Sequence, residues 1–156
     1  MYEFGNWLTR ALRGGVTLYP AEQWLLAQLV SALPEHLKAT VDAQLSSYNL
    51  AQREADGRAI NLYRRPALLP QMPLLPMNTV EAPLVRLTVN AATDGPIHAT
   101  LNAVSGRVFC MALSRSVRDV SPLSFGGTQI TQAWRSNFPA CAPNSSFRPK
   151  PLRGSA

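Results

Sequence analysis

The sequence predicts an α+β fold: N-terminal helices packed on one face of an antiparallel sheet of about four strands, a meander, with an irregular proline-rich C-terminal tail. Three observations predict it. Apolar residues recur at helical spacing as far as Gly57 and at strand spacing beyond it. The strand-like runs are separated by turn dipeptides and not by further helical segments, which favours antiparallel pairing. From residue 119 onward Pro122, Pro139, Pro143, Pro149 and Pro151 interrupt a stretch rich in Ser and Asn. Residues 1–118 are therefore expected to form a single α+β domain and residues 119–156 an irregular basic tail. A chain of 156 residues buries roughly 70% of the surface its unfolded form exposes, so it folds without disulfides or a metal.

Residues 2–13 read as a short amphipathic helix, with Phe4, Leu8, Ala11 and Leu12 on one side and Gly14-Gly15 as its stop. A second helix starts at Pro20, whose missing N–H suits a first turn. Glu22 lies in that turn, where the helix dipole favours an anion, and Trp24, Leu25, Leu29 and Leu33 form its apolar stripe. Pro34 breaks it. A third helix, with Leu37, Val41, Leu45 and Tyr48 on one face, is expected to run on until just before Gly57. Residues 58–65 then alternate, with Ile60 and Leu62 on one side and Asn61 and Tyr63 on the other, as a half-buried strand does. The passage from Pro66 to Pro83 holds five prolines but keeps Leu68, Leu69, Leu74 and Leu75, so it packs in extended form. Residues 84–90 form the next strand, and Asp94-Gly95-Pro96 the following turn. Residues 97–104 and 107–114 make the clearest hairpin, joined through Ser105-Gly106. Beyond it the expectation is at most a short element near residues 130–134.

The hairpin allows a sharper inference about faces. A two-residue loop pairs Val104 with Arg107, and cross-strand partners share a face. Continued without a bulge, this register groups Ile97, Ala99, Leu101 and Ala103 with Val108, Cys110 and Ala112. That face is apolar and small, a seat for the helices, with Cys110 as an inert core thiol. The other face carries His98, Thr100 and Asn102 with Arg107, Phe109, Met111 and Leu113. If Tyr63, Arg65 and Arg86 project the same way, the result is a basic sheet face with aromatic residues among the charges. Tyr63, Arg65, Arg86, Asn102, Arg107 and Phe109 are therefore the candidate binding residues. A competing expectation covers Phe109 and Met111 with the proline-rich passage or the tail.

Charge gives this face its candidate partners. Charged residues make up 15% of the chain, yet the net charge is +6, and thirteen of the fifteen basic residues are Arg. Residues 1–57 carry four basic and six acidic side chains; residues 58–156 carry eleven and three. An acidic protein partner is the expectation, since Arg forks match carboxylates. Single-stranded nucleic acid is the alternative, and a small-ligand or enzymatic site between sheet and helices is a third.

Recognisable catalytic chemistry is absent from the sequence. Gly126-Gly127 lacks the surroundings of a phosphate loop, no serine elbow occurs, and His36, His98, Cys110 and Cys141 have no chelating spacing. A Cys110–His98–Asp94 arrangement requires side chains expected on opposite faces. No metal or cofactor is implied. Without a continuous apolar h-region at the N-terminus or a run long enough to span a bilayer, a cytoplasmic location is the default expectation. Nothing in the sequence sets an oligomeric state.

Overall fold

The computed structural model describes residues 18–48, 50–63, 72–92 and 94–131, with the backbone alone for Tyr63. The helix expected over residues 2–13, Arg65, and the tail from residue 132 onward lie outside the described residues. Two helices, α1 (Pro20–Ser31) and α2 (Glu35–Ser47), are followed by six strands. These are β1 (Leu50–Arg53), β2 (Ala59–Tyr63), β3 (Glu81–Ala91), β4 (Gly95–Val104), β5 (Arg107–Leu113) and β6 (Phe125–Thr131). They form one antiparallel sheet in the order β1-β2-β5-β4-β3-β6.

The α+β class matches the reading of the sequence, but the sheet has six strands instead of about four, and it is not a simple meander, because β2 pairs with β5 and not with β3. The two additional strands lie at its edges. β1 had been absorbed into the third helix, which instead ends at Ser47. Its four residues pair with β2 across a turn in which Gly57 takes φ +71°, a conformation that glycine adopts at little cost. β6 falls where an irregular tail was expected. Its composition, Phe-Gly-Gly-Thr-Gln-Ile-Thr, shows little alternation, and pairing with β3 is what orders it.

Pro20 opens α1, and the Glu22 carboxylate accepts the Tyr19 backbone N–H at 2.7 Å, satisfying one orphan donor of the first turn. Pro34 ends the link to α2 as its N-cap. Leu25, Leu26, Leu29 and Val30 of α1, and Leu37, Val41 and Leu45 of α2, are buried against Val85, Leu87, Val89, Ile97, Ala99, Leu101, Val108 and Met111. Helix α1 packs over β3 and β4, and α2 over β5.

Two buried polar groups fix this assembly. Glu22 is fully buried and takes a forked contact from Arg53 of β1, with Nε at 2.7 Å from Oε1 and Nη2 bonded to Oε2. The guanidinium also lies 3.8 Å from the centroid of the Tyr19 ring, and the Glu22 hydrogen bond holds its pKa above the ordinary value. Gln44 is fully buried on α2. Its amide donates to the carbonyls of Pro73 and Gly106 and accepts the Val108 N–H, each at 2.8 Å.

Glu22 and Trp24 reach opposite edges of the sheet. Glu22 pairs with Arg53 on β1, while the Trp24 ring lies 4.8 Å from that of Phe125 on β6. Six strands laid flat would separate those edges by about 24 Å, some twice the diameter of a helix. The sheet therefore curls around α1, and the face turned away from the helices is convex.

Candidate functional site

The hairpin turn forms as read, with Val104 paired to Arg107. Ser105 and Gly106 take φ 48° and 79°, the pair of positive values that a type I′ turn requires. Two residues further on, the expectation about faces fails. Asn102 pairs with Cys110 while Ala103 pairs with Val108, so Phe109 is an extra residue on β5. A bulge of this kind exchanges the two faces of the strand beyond it. Met111 and Leu113 consequently point into the core, and Cys110 and Ala112 onto the open face. The sequence expectation had them reversed. Physically the exchange favours the larger apolar volume inside: Met and Leu are buried where Cys and Ala would have been.

The open face can be followed strand by strand from the register. Asn61 of β2 lies opposite Cys110, which lies opposite Asn102 of β4. Gln52 of β1 lies opposite Asn61. Arg86 of β3 lies opposite Thr100, and Thr88 opposite His98, with Thr88 Oγ1 and His98 Nδ1 at 2.9 Å. Amide, hydroxyl and small side chains dominate, and no described segment forms a second layer over them. The described part of the proline-rich passage does not cover this face, while residues 64–71 and 132–156, which the competing expectation also invokes, lie outside the described residues. Residues 72–80 instead loop over the hairpin turn, tied by Leu75 N to Gly106 O at 2.8 Å and by Ser105 N to Val80 O at 2.6 Å. A Cβ on Gly106 would lie 3.0 Å from the Leu75 carbonyl oxygen, so the close approach depends on that glycine.

The candidate residues distribute as follows. Arg86, Asn102 and Arg107 share the open face, with Asn102 midway along β4 between the partners of the two arginines. The register separates those arginines by about 16 Å. Phe109 stands in the bulge and remains 43% exposed. Tyr63 pairs with Leu50 at the end of β2, and Arg65 lies outside the described residues. Signals for Gln52 were missed because its strand was read as helix.

The electrostatics differ from a uniformly basic surface. Arg86 and Arg107 share the face with Glu81, opposite Val104, and Glu54, and both carboxylates add to a rise in the Cys110 pKa caused chiefly by burial. The described residues hold seven basic and eight acidic side chains, so the chain's excess positive charge resides in residues 1–17, 64–71 and 132–156.

Nucleophilic chemistry gains nothing from the exchanged faces. Cys110 and His98 now project the same way, but four residues of β4 separate His98 from the partner of Cys110, about 13 Å. Asp94 is drawn towards Arg115, at 3.7 Å. A raised thiol pKa opposes thiolate formation. Among the described residues no His, Cys, Asp and Glu group is arranged to hold a metal, and no helix is long and apolar enough to cross a membrane. No protein-family model, curated protein or solved structure matches this chain.

Proposed function

We propose that this chain is a non-enzymatic binding module that presents the convex face of its sheet to an acidic protein partner, assisted by the cationic segments that continue from β2 and β6. The observation that carries this reading is the coincidence of surface and charge. The open face offers hydrogen-bonding side chains on all six strands with one exposed aromatic, Phe109, and two of the three segments holding the excess charge begin at ends of those same strands. Arg64-Arg65 follows Tyr63 directly, and residues 132–156, with four basic side chains and no acidic one, follow Thr131.

A convex surface favours a macromolecule over a small substrate, because a ligand pocket needs concavity to exclude water. Long-range attraction from the flanking cations accelerates encounter, and Asn61, Asn102 and Thr100 supply short-range specificity. Phe109 is the natural apolar anchor.

Site-directed photocrosslinking in an extract of the native cell tests this. A photoreactive residue is incorporated at position 102 or 109, and at Ala43 on the exposed side of α2 as a control. Crosslinks from 102 and 109, and not from 43, to a protein segment rich in Asp and Glu are expected, weakening as salt rises from about 0.1 to about 0.5 M. Crosslinks confined to position 43, no crosslinks, or crosslinks chiefly to RNA would overturn the reading.

A further inference from the structure

We propose that the free edge of β6 is an interface between two copies of this chain, paired β6 to β6 in antiparallel fashion about a two-fold axis at Gln129. This inference rests on the sheet topology and is independent of the acidic-partner reading. β6 stands last in the strand order, and no described strand covers its outer edge. Proteins ordinarily blunt such edges with charge, proline, shortness or bulges. β1, at the opposite edge, follows that rule: it has four residues and ends in Arg53. β6 has seven residues, none charged and none proline. Its one irregularity is the register shift opposite Val89 and Asn90, which puts the extra residue at Gly127 and leaves residues 128–131 as a regular run.

The side chains of that run suit self-pairing. A residue on a two-fold axis faces its own copy, so a charge there would repel itself. A glutamine amide both donates and accepts, and satisfies its twin. Gln129 lies opposite Thr88 on the open face and is itself exposed. With Gln129 on the axis, Thr128 of one copy opposes Ile130 of the other, twice over. Both project to the helical side of the sheet, and Ile130 is 47% exposed in the single chain. Cross-strand pairs of β-branched residues are favourable. A register shifted by one residue would oppose side chains from different faces and is excluded by the pleat. The paired sheets place both convex faces on one continuous surface, which doubles the binding area. A ladder this short buries less than the roughly 1,200 Å² of a standard interface, so the dimer is weak and concentration-dependent.

Sedimentation equilibrium on the full chain between about 10 µM and about 1 mM tests the proposal in the range where so small an interface associates. The weight-average mass of the unaltered chain is expected to rise from 17.0 kDa towards twice that value. Gln129→Lys and Gln129→Glu each place like charges face to face and are expected to remain monomeric at the highest concentration. An equimolar mixture of the two is expected to dimerise at least as well as the unaltered chain, since opposite charges then meet on the axis. Both substitutions are on the surface, and unchanged thermal unfolding confirms that each variant folds. A chain that stays monomeric throughout, single variants that associate like the unaltered chain, or a mixture that fails to restore association would each overturn the proposal.

Discussion

Replacing Gln44 with Leu probes the link between the helical layer and the hairpin that carries Arg107 and Phe109. The substitution keeps the approximate volume and removes three hydrogen bonds, to Pro73 O, Gly106 O and Val108 N. Their losses are unequal. Pro73 is exposed and its carbonyl can be met by water, while the Gly106 carbonyl keeps the Leu75 N–H at 2.8 Å. The Val108 N–H is left buried without its acceptor, at a cost of about 1–3 kcal/mol. Weaker anchoring of residues 72–80 adds to this, and the apolar gain of Leu offsets part of it. A net loss of roughly 2–3 kcal/mol is expected, or about 5–10 °C in Tm for a chain of this size. Urea unfolding measures the loss, and amide exchange at Val108 locates it. The companion variant Gln44→Glu keeps an acceptor for Val108 but turns a carboxyl oxygen towards two carbonyls. Its carboxyl pKa is therefore raised in the folded state, which binds more protons than the unfolded one, so this variant gains stability as pH falls from 7 to about 5. A loss under about 0.5 kcal/mol for Gln44→Leu, with unchanged exchange at Val108, would refute the assignment of Gln44 as the clamp.

Further predictions concern stability and its dependence on pH. The Tyr48 hydroxyl donates to the Val108 carbonyl at 2.6 Å, and burial pushes its pKa from 10.0 up to about 12. Its contribution is fully present below pH 10 and is lost as pH rises towards 12, by at most about 2.7 kcal/mol; Tyr48→Phe should flatten the alkaline limb of a stability–pH curve. Arg53→Met leaves the Glu22 carboxylate buried without its counter-charge, so a loss of about 3–5 kcal/mol in urea unfolding is expected, much of it recovered when Glu22→Met is added. Gly106→Ala must hold φ +79° and meet the Leu75 carbonyl, lowering stability by about 1–3 kcal/mol in thermal unfolding. Ser105→Asn, at φ 48° in the same turn, should instead raise Tm slightly, because Asn tolerates that conformation better.

Much of the fold was legible because its signals are local. Pro20, Pro34, the Leu and Val spacing of the helices, Asp94-Gly95 and Ser105-Gly106 each act within a few residues, and the elements they open or join stand where expected, although the helix after Pro34 ends at Ser47, well short of Gly57. The edges of the sheet were not legible. β1 directly follows a helix and has no periodicity of its own over four residues, while β6 contains two glycines and gains its order from β3. Such strands are specified by a neighbour that a local window does not contain.

The candidate site shows a subtler limit. Strand period two fixes which residues alternate, and the turn fixes where alternation starts, yet one extra residue reverses everything downstream of it. Val-Phe-Cys-Met-Ala-Leu reads as a continuous apolar run on both faces, so patterning does not distinguish Cys110 and Ala112 inside from Met111 and Leu113 inside. The decision belongs to the core. Small Ala99 and Ala103 on β4 leave room that Leu101, Met111 and Leu113 fill beneath the helices, and a bulge at Phe109 brings the larger pair there. Phe109 stays on the convex surface, 43% exposed beside Arg107, as the extra residue between Val108 and Cys110. A regular ladder continued from the same turn would also leave Phe109 on that face, opposite Asn102, but would turn Met111 and Leu113 out beside it; core packing thus sets the neighbours of the most prominent aromatic, replacing that larger pair with Cys110 and Ala112.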